Sequence, residues 1–147
     1  MKNRIDNKQL IASVVLLERF VRDIYPAKHS SAVQPLQWSI LRYISRMPAE
    51  RCEVRWIAQY LGITRAPVTR AIATLEARNL VCQSTSGVDA RTNTVTLTDL
   101  GLATLADDPI LSAADRIRGL SEVEQAQFIK SIRSLALDFE SNDHEAI

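Results

Sequence analysis

The chain has 147 residues, 46% hydrophobic and 24% charged, with a net charge of +1. That is enough apolar content for one packed domain, and the chain has no apolar run near the roughly 18 residues that span a bilayer. The near-neutral total hides an asymmetry: residues 107–147 carry nine acidic and four basic side chains, so the first 106 residues are mildly basic. Such a skew suits a protein with one face toward phosphate and another toward water. MKNRIDNKQL is basic, but the apolar stretch Ile11 to Leu17 runs into Glu18-Arg19 and not into a cleavage site. It reads as no signal peptide, so the protein is expected in the cytoplasm.

In chain order, apolar residues recur at helical spacing from about 8 to 25, with Asp6 and Gln9 placed as a capping box. A second helix is predicted over about 35–47, between Pro35 and Pro48. A short extended piece surrounds Arg51-Cys52. Val54 to Leu75, VRWIAQYLGITRAPVTRAIATL, then reads as two helices joined by a tight turn. Ala58 supplies the small contact two crossing helices need, and Gly62 accepts the left-handed backbone of an abrupt stop. Ile57, Leu61, Ile63, Val68 and Ile72 are expected to form one wedge, the pattern of a helix-turn-helix. Pro67 is the third helical residue after Thr64, where its missing N–H is not needed, although it disfavours helix at Ala66 and predicts a slightly late start.

After Leu80 the period changes to two. Val81–Thr85 and Thr94–Thr98 are candidate strands, joined by a polar tip with Gly87, Asp89 and Asn93 as turn formers. A helix-turn-helix followed by a polar hairpin is a winged helix. A further helix is expected from about 99 to 118, kinked or restarted at Pro109. A last one begins at Ser121, boxed by Glu124, and runs to about Phe139 before an acidic, frayed tail.

The run D-A-R-T-N-T-V-T-L-T-D-L-G, Asp89 to Gly101, resembles the MarR-type signature: D-x-R at the wing, then L-T-x-x-G. Asp89, Arg91, Leu97, Thr98 and Gly101 match it, and Val68 to Val81 resembles that family's recognition helix. The resemblance implies dimeric bacterial or archaeal transcription regulators, often released from DNA by small phenolic ligands or oxidants. Many relatives carry a second arginine where this chain has Ala90, which implies a weaker wing contact.

The expected architecture is therefore mainly α with a small β-hairpin: a winged helix-turn-helix at 31–106, with dimerisation helices at 1–30 and 107–147. Helix 64–79 would enter the major groove and wing 84–94 the minor groove of a pseudo-palindromic operator. Arg65 and Arg70 can reach base edges or phosphates, and Thr64 and Thr69 suit phosphate. Ala66 can meet thymine methyls. Arg55 is a phosphate candidate, and Thr92 and Asn93 flank Arg91, which is expected in the minor groove. Asp89 and Gly87 shape the wing. Arg78 reads equally as a phosphate contact or a solvated residue.

The outer apolar stripes carry the partner argument. Leu10, Val14, Leu17 and Val21 form one, and Phe128, Ile132, Leu135 and Phe139 another. They either pack within one chain or intertwine with a second copy, and the resemblance favours the second. His29 and His144 have no ligand at metal spacing, and Cys52 and Cys82 are not a C-x-x-C pair. Both cysteines are expected to be small buried apolar residues, with a redox switch the lesser reading. The sequence implies no metal and no cofactor. The resemblance places an effector between the dimer helices and the winged helix, near Tyr25, His29, Trp38, Arg42 and Tyr43. Aromatics at such places more often belong to a core, so no pocket residue is assigned. The leading reading is a homodimeric DNA-binding regulator, a repressor, answering to a small molecule. A protein-binding adaptor is the alternative, and no catalytic constellation supports an enzyme.

Overall fold

The computed structural model describes residues 5–25, 32–85 and 92–142, with side chains as far as 136. The chain divides at Pro109 into two compact units. In the first, helix α1 spans Asn7–Asp23, and Gln9 Oε1 accepts the Asp6 backbone N–H at 3.1 Å, as the box spacing predicts. None of its residues is buried. Helix α2, Pro35–Arg46, has proline in its first turn, where a preset φ helps. Gln37 Oε1 also accepts the Gln34 N–H there at 2.9 Å, a box not expected from the sequence.

The segment expected to be extended around Arg51-Cys52 is instead a 3₁₀ turn, Ala49–Arg51. Only then does the chain meet the hairpin: Glu53 bridges Thr94, and Val95 N–H donates to the Cys52 carbonyl at 2.8 Å. Helix α3, Val54–Leu61, stops at Gly62, whose φ of 64° lets Ile63 N–H bond the Ala58 carbonyl at 3.1 Å. Helix α4, Arg65–Ala77, starts directly after Thr64, so Pro67 causes no late start. Its φ suits the first turn, and Ala66 holds helical geometry before it.

The core forms where α2, α3, α4 and the hairpin meet. Ile40, Leu41, Ile57, Val68, Ile72, Leu75, Val81 and Val95 are essentially fully buried. Each contributes about 1.5–3 kcal/mol by leaving water. The expected wedge is corrected at one residue: Ile63 is 39% exposed, because it sits in the turn beyond the helix crossing.

Strands β1, Val81–Thr85, and β2, Asn93–Leu97, pair antiparallel with Val81 opposite Leu97 and Gln83 opposite Val95. The second strand lies one residue earlier than predicted, because Thr98 leaves the ladder to cap helix α5, Asp99–Thr104. Its hydroxyl donates to the Asn79 carbonyl at 2.6 Å and accepts the Gly101 N–H at 3.0 Å. A Cβ on Gly101 would stand 1.9 Å from the Leu80 carbonyl oxygen. The L-T-x-x-G pattern thus has a mechanical cause: threonine ties the strand exit to the end of α4, and glycine lets the helix lie against that backbone.

The helix expected from 99 to 118 is restarted at Pro109, the second of the two outcomes expected there, and not kinked. A 3₁₀ turn, Leu105–Asp107, follows α5, and Asp108 is non-helical (ψ 122°) before Pro109 opens helix α6, Pro109–Arg118. Proline disfavours helix at the residue before it, so the chain must leave the helix at Asp108. Asp108 is buried, and Arg42 Nε donates to it at 2.7 Å while Arg42 Nη2 donates to the Tyr25 hydroxyl at 2.6 Å.

In the second unit, helix α7 spans Glu122–Asn142 and so passes the expected end at Phe139 and the start of the expected frayed tail. The predicted box forms: Ser121 N–H and hydroxyl donate to Glu124 Oε2 at 2.9 and 2.6 Å. The hydroxyl bond holds the Glu124 carboxyl below its ordinary pKa. Among the described residues, no helix is long and apolar enough to cross a membrane.

Candidate nucleic-acid interface

The start of α4 and the base of the hairpin enclose an open cleft. Arg55, Arg65, Thr69, Thr92 and Asn93 line it, together with Glu53, Val54 and Gln83. Five of the predicted contact residues, drawn from three separate elements, therefore share one surface. Thr64, Ala66 and Arg70 lie exposed on the same helix outside that lining. Arg65 and Arg70 make no ion pair among the described residues, so both guanidiniums keep their donors for an anion. Arg55 is partly committed, with Nε 2.7 Å from Glu53 Oε2. The Thr69 hydroxyl donates to the Arg65 carbonyl at 3.0 Å, which leaves it chiefly an acceptor toward the cleft. Gly87, Asp89 and Arg91 lie outside the described residues, as do His29 and His144.

Two residues that set this geometry were not singled out in the sequence. Glu53 fixes Arg55 and bridges Thr94. Glu76, on the last turn of α4, accepts both the backbone N–H of Gln83 at 2.9 Å and its side-chain amide at 2.8 Å. It thereby fastens β1 to the helix. Acidic residues in a surface expected to face phosphate carry no motif, and only the open edge of β1 hints that a carboxylate is needed. Arg78 donates to the Ala32 carbonyl at 3.3 Å, which gives it a structural role of its own.

Away from the cleft, Trp38 and Tyr43 belong to the core, and the Tyr43 hydroxyl donates to the Arg51 carbonyl at 2.9 Å. The expectation of two buried cysteines fails for one. Cys52 is 2% exposed, and burial, reinforced by Glu50, pushes its thiol pKa up. Cys82 is exposed, because its side chain points from the outer face of β1, 3.0 Å from Thr96 Oγ1. On α1, Leu10, Val14, Leu17 and Val21 are all exposed, Val14 to 66%. On α7, Leu135 is exposed and Phe128 and Ile132 are half-buried, while the side chain of Phe139 lies outside the described set.

The model of the MarR family matches residues 33–92. Among solved structures, the MarR protein from Peptoclostridium difficile is similar over 100% of this chain and 97% of its own, with 19% identity and a TM-score of 0.75. The transcriptional repressor CouR, bound to a 23-mer DNA duplex, is 27% identical over 90% of this chain and 92% of its own, with a TM-score of 0.63. BpsR of Bordetella bronchiseptica, whose DNA binding is regulated by 6-hydroxynicotinic acid, is 24% identical over 85% of this chain and 98% of its own, with a TM-score of 0.64. The MarR family model thus matches the winged helix-turn-helix segment, and the whole chain shares its fold with solved MarR structures.

Proposed function

We propose that the protein is a homodimeric, sequence-specific repressor that reads a pseudo-palindromic operator, with α4 in the major groove and the wing in the minor groove. One observation carries the reading: Arg55, Arg65, Thr69, Thr92 and Asn93 converge on one open cleft beside Arg70, which has no ion pair among the described residues. A helix start rich in N–H donors and cations is a phosphate and base-edge reader. Residues 31–106 form the DNA-binding part, and 1–30 with 107–147 form the dimerisation part. The unburied apolar stripe of α1 supports that division, since a helix of 17 residues with no buried side chain needs a partner surface. Twofold pairing sets two recognition helices about 34 Å apart along the duplex. The repressor reading draws on CouR, and the effector reading on BpsR. A small-molecule effector releases the DNA by binding better to a conformer whose recognition helices are wrongly spaced.

Selection of bound duplexes from a genomic pool tests this, with wild type, Arg65→Ala and Arg91→Ala in parallel. Wild type is expected to enrich a palindromic site, with both variants weakened. Equal recovery of random and selected DNA by all three proteins would refute it.

A further inference from the structure

Arg51 belongs to none of the motifs above, yet its guanidinium carbon stands 4.5 Å from the ring centroid of Trp56. That of Arg55 stands 4.8 Å from the same side chain. Two cations on one ring lie within about a Debye length, roughly 10 Å at 0.1 M salt, so each adds to the positive potential at the other. The one carboxylate bonded to either is Glu53, on Arg55 Nε, and Arg51 has no ion pair among the described residues. Both arginines are exposed, and Trp56 is half-buried in the first turn of α3. The indole therefore holds two like charges at the surface with an uncompensated positive charge. The ring holds both guanidiniums beside it; Arg51 keeps its edge for two-pronged bonding to an oxyanion, whereas Arg55, its Nε on Glu53, offers its remaining N–H groups.

The position of the pair identifies the anion. Arg55 lines the cleft with Arg65, and through the Trp56 ring it is joined to Arg51, in the 3₁₀ turn that leads into the first helix of the motif. In a helix-turn-helix that helix crosses the DNA backbone, not the base edges. We propose that Arg51 and Arg55, organised by Trp56, clamp phosphodiester groups of the duplex flanking the groove that α4 reads. The proposal rests on the DNA-binding reading above and adds Arg51 and Trp56 to its surface. The clamp positions the protein on the duplex and carries no base preference.

The test is fluorescence anisotropy with a mixed-sequence duplex of three helical turns, over a series of salt concentrations. Wild type, Arg51→Gln, Arg51→Lys and Trp56→Phe are compared, each with its unfolding midpoint. Arg51→Gln is expected to weaken binding and to reduce the slope of log K against log salt by about one per bound Arg51, with the midpoint unchanged. Arg51→Lys should restore the slope but not the full affinity, since lysine keeps the charge and loses the planar stack. Trp56→Phe should weaken binding with the wild-type slope. An Arg51→Gln protein with wild-type affinity and slope would overturn the clamp while leaving the DNA-binding reading intact, as would one that enriches a different sequence in selection. Failure of wild type to bind any duplex at low salt would overturn both.

Discussion

Gly62 and Gly101 are fixed by different physics, and the difference is measurable. At Gly62 a Cβ would meet nothing within 4 Å, so only the left-handed backbone, φ 64°, opposes a side chain. Gly62→Ala should cost about 1 kcal/mol of stability. At Gly101 the obstacle is the Leu80 carbonyl, 1.9 Å from a Cβ, and neither partner can yield without parting α5 from the end of α4. Gly101→Ala should cost about 3 kcal/mol or more. Denaturant titration of the two variants checks the order. The turn at Gly62 was legible because glycine there interrupts a helical period, whereas the crowding at Gly101 is a contact across the fold and shows only as a motif. The two cysteines likewise looked equivalent in sequence, since alternation in a two-stranded hairpin does not say which face is covered. Iodoacetamide at neutral pH should label Cys82 well before Cys52, as peptide mapping would show. Burial raises the Cys52 pKa, so its contribution to stability is present below the ordinary thiol range and is lost as pH climbs through its folded-state pKa.

Between elements, carboxylates hold the parts of the proposed DNA-facing surface. Glu76 occupies the open edge of β1 and joins it to α4 through Gln83. Glu76→Ala should destabilise by about 0.5–1.5 kcal/mol, because two exposed hydrogen bonds between α4 and β1 are lost, and should reduce duplex affinity more than stability alone explains. Thermal unfolding and anisotropy on the same preparations separate the two effects. The Arg42–Asp108 pair is more enclosed, with side chains 18% and 4% exposed. Asp108→Ala should cost about 3 kcal/mol, since it strands the Arg42 charge, while Arg42→Met with Asp108→Leu should recover most of that loss. Helix and strand types were readable from periodicity, and Pro109 marked the break after α5. The pairings were not readable, because Glu76 with Gln83 and Arg42 with Asp108 join residues with no shared period.

For the whole molecule, charge and apolar surface divide the labour. The basic body carries the cleft, and the acidic excess lies beyond residue 106. The sequence made the winged helix and the residues that share its cleft legible because the hairpin, the Gly62 turn and the arginines all lie in one short span. It showed the stripe on α1 but not what covers it, since a stripe has the same pattern whether its partner is the same chain or another. In the proposed dimer, two copies present two α4 helices to successive major grooves. Hydroxyl-radical footprinting of a selected duplex tests it most directly. Two equivalent protected segments about one helical turn apart are expected, both lost together with Arg65→Ala. A single protected segment, or a pair whose spacing does not follow the helical repeat, would contradict it.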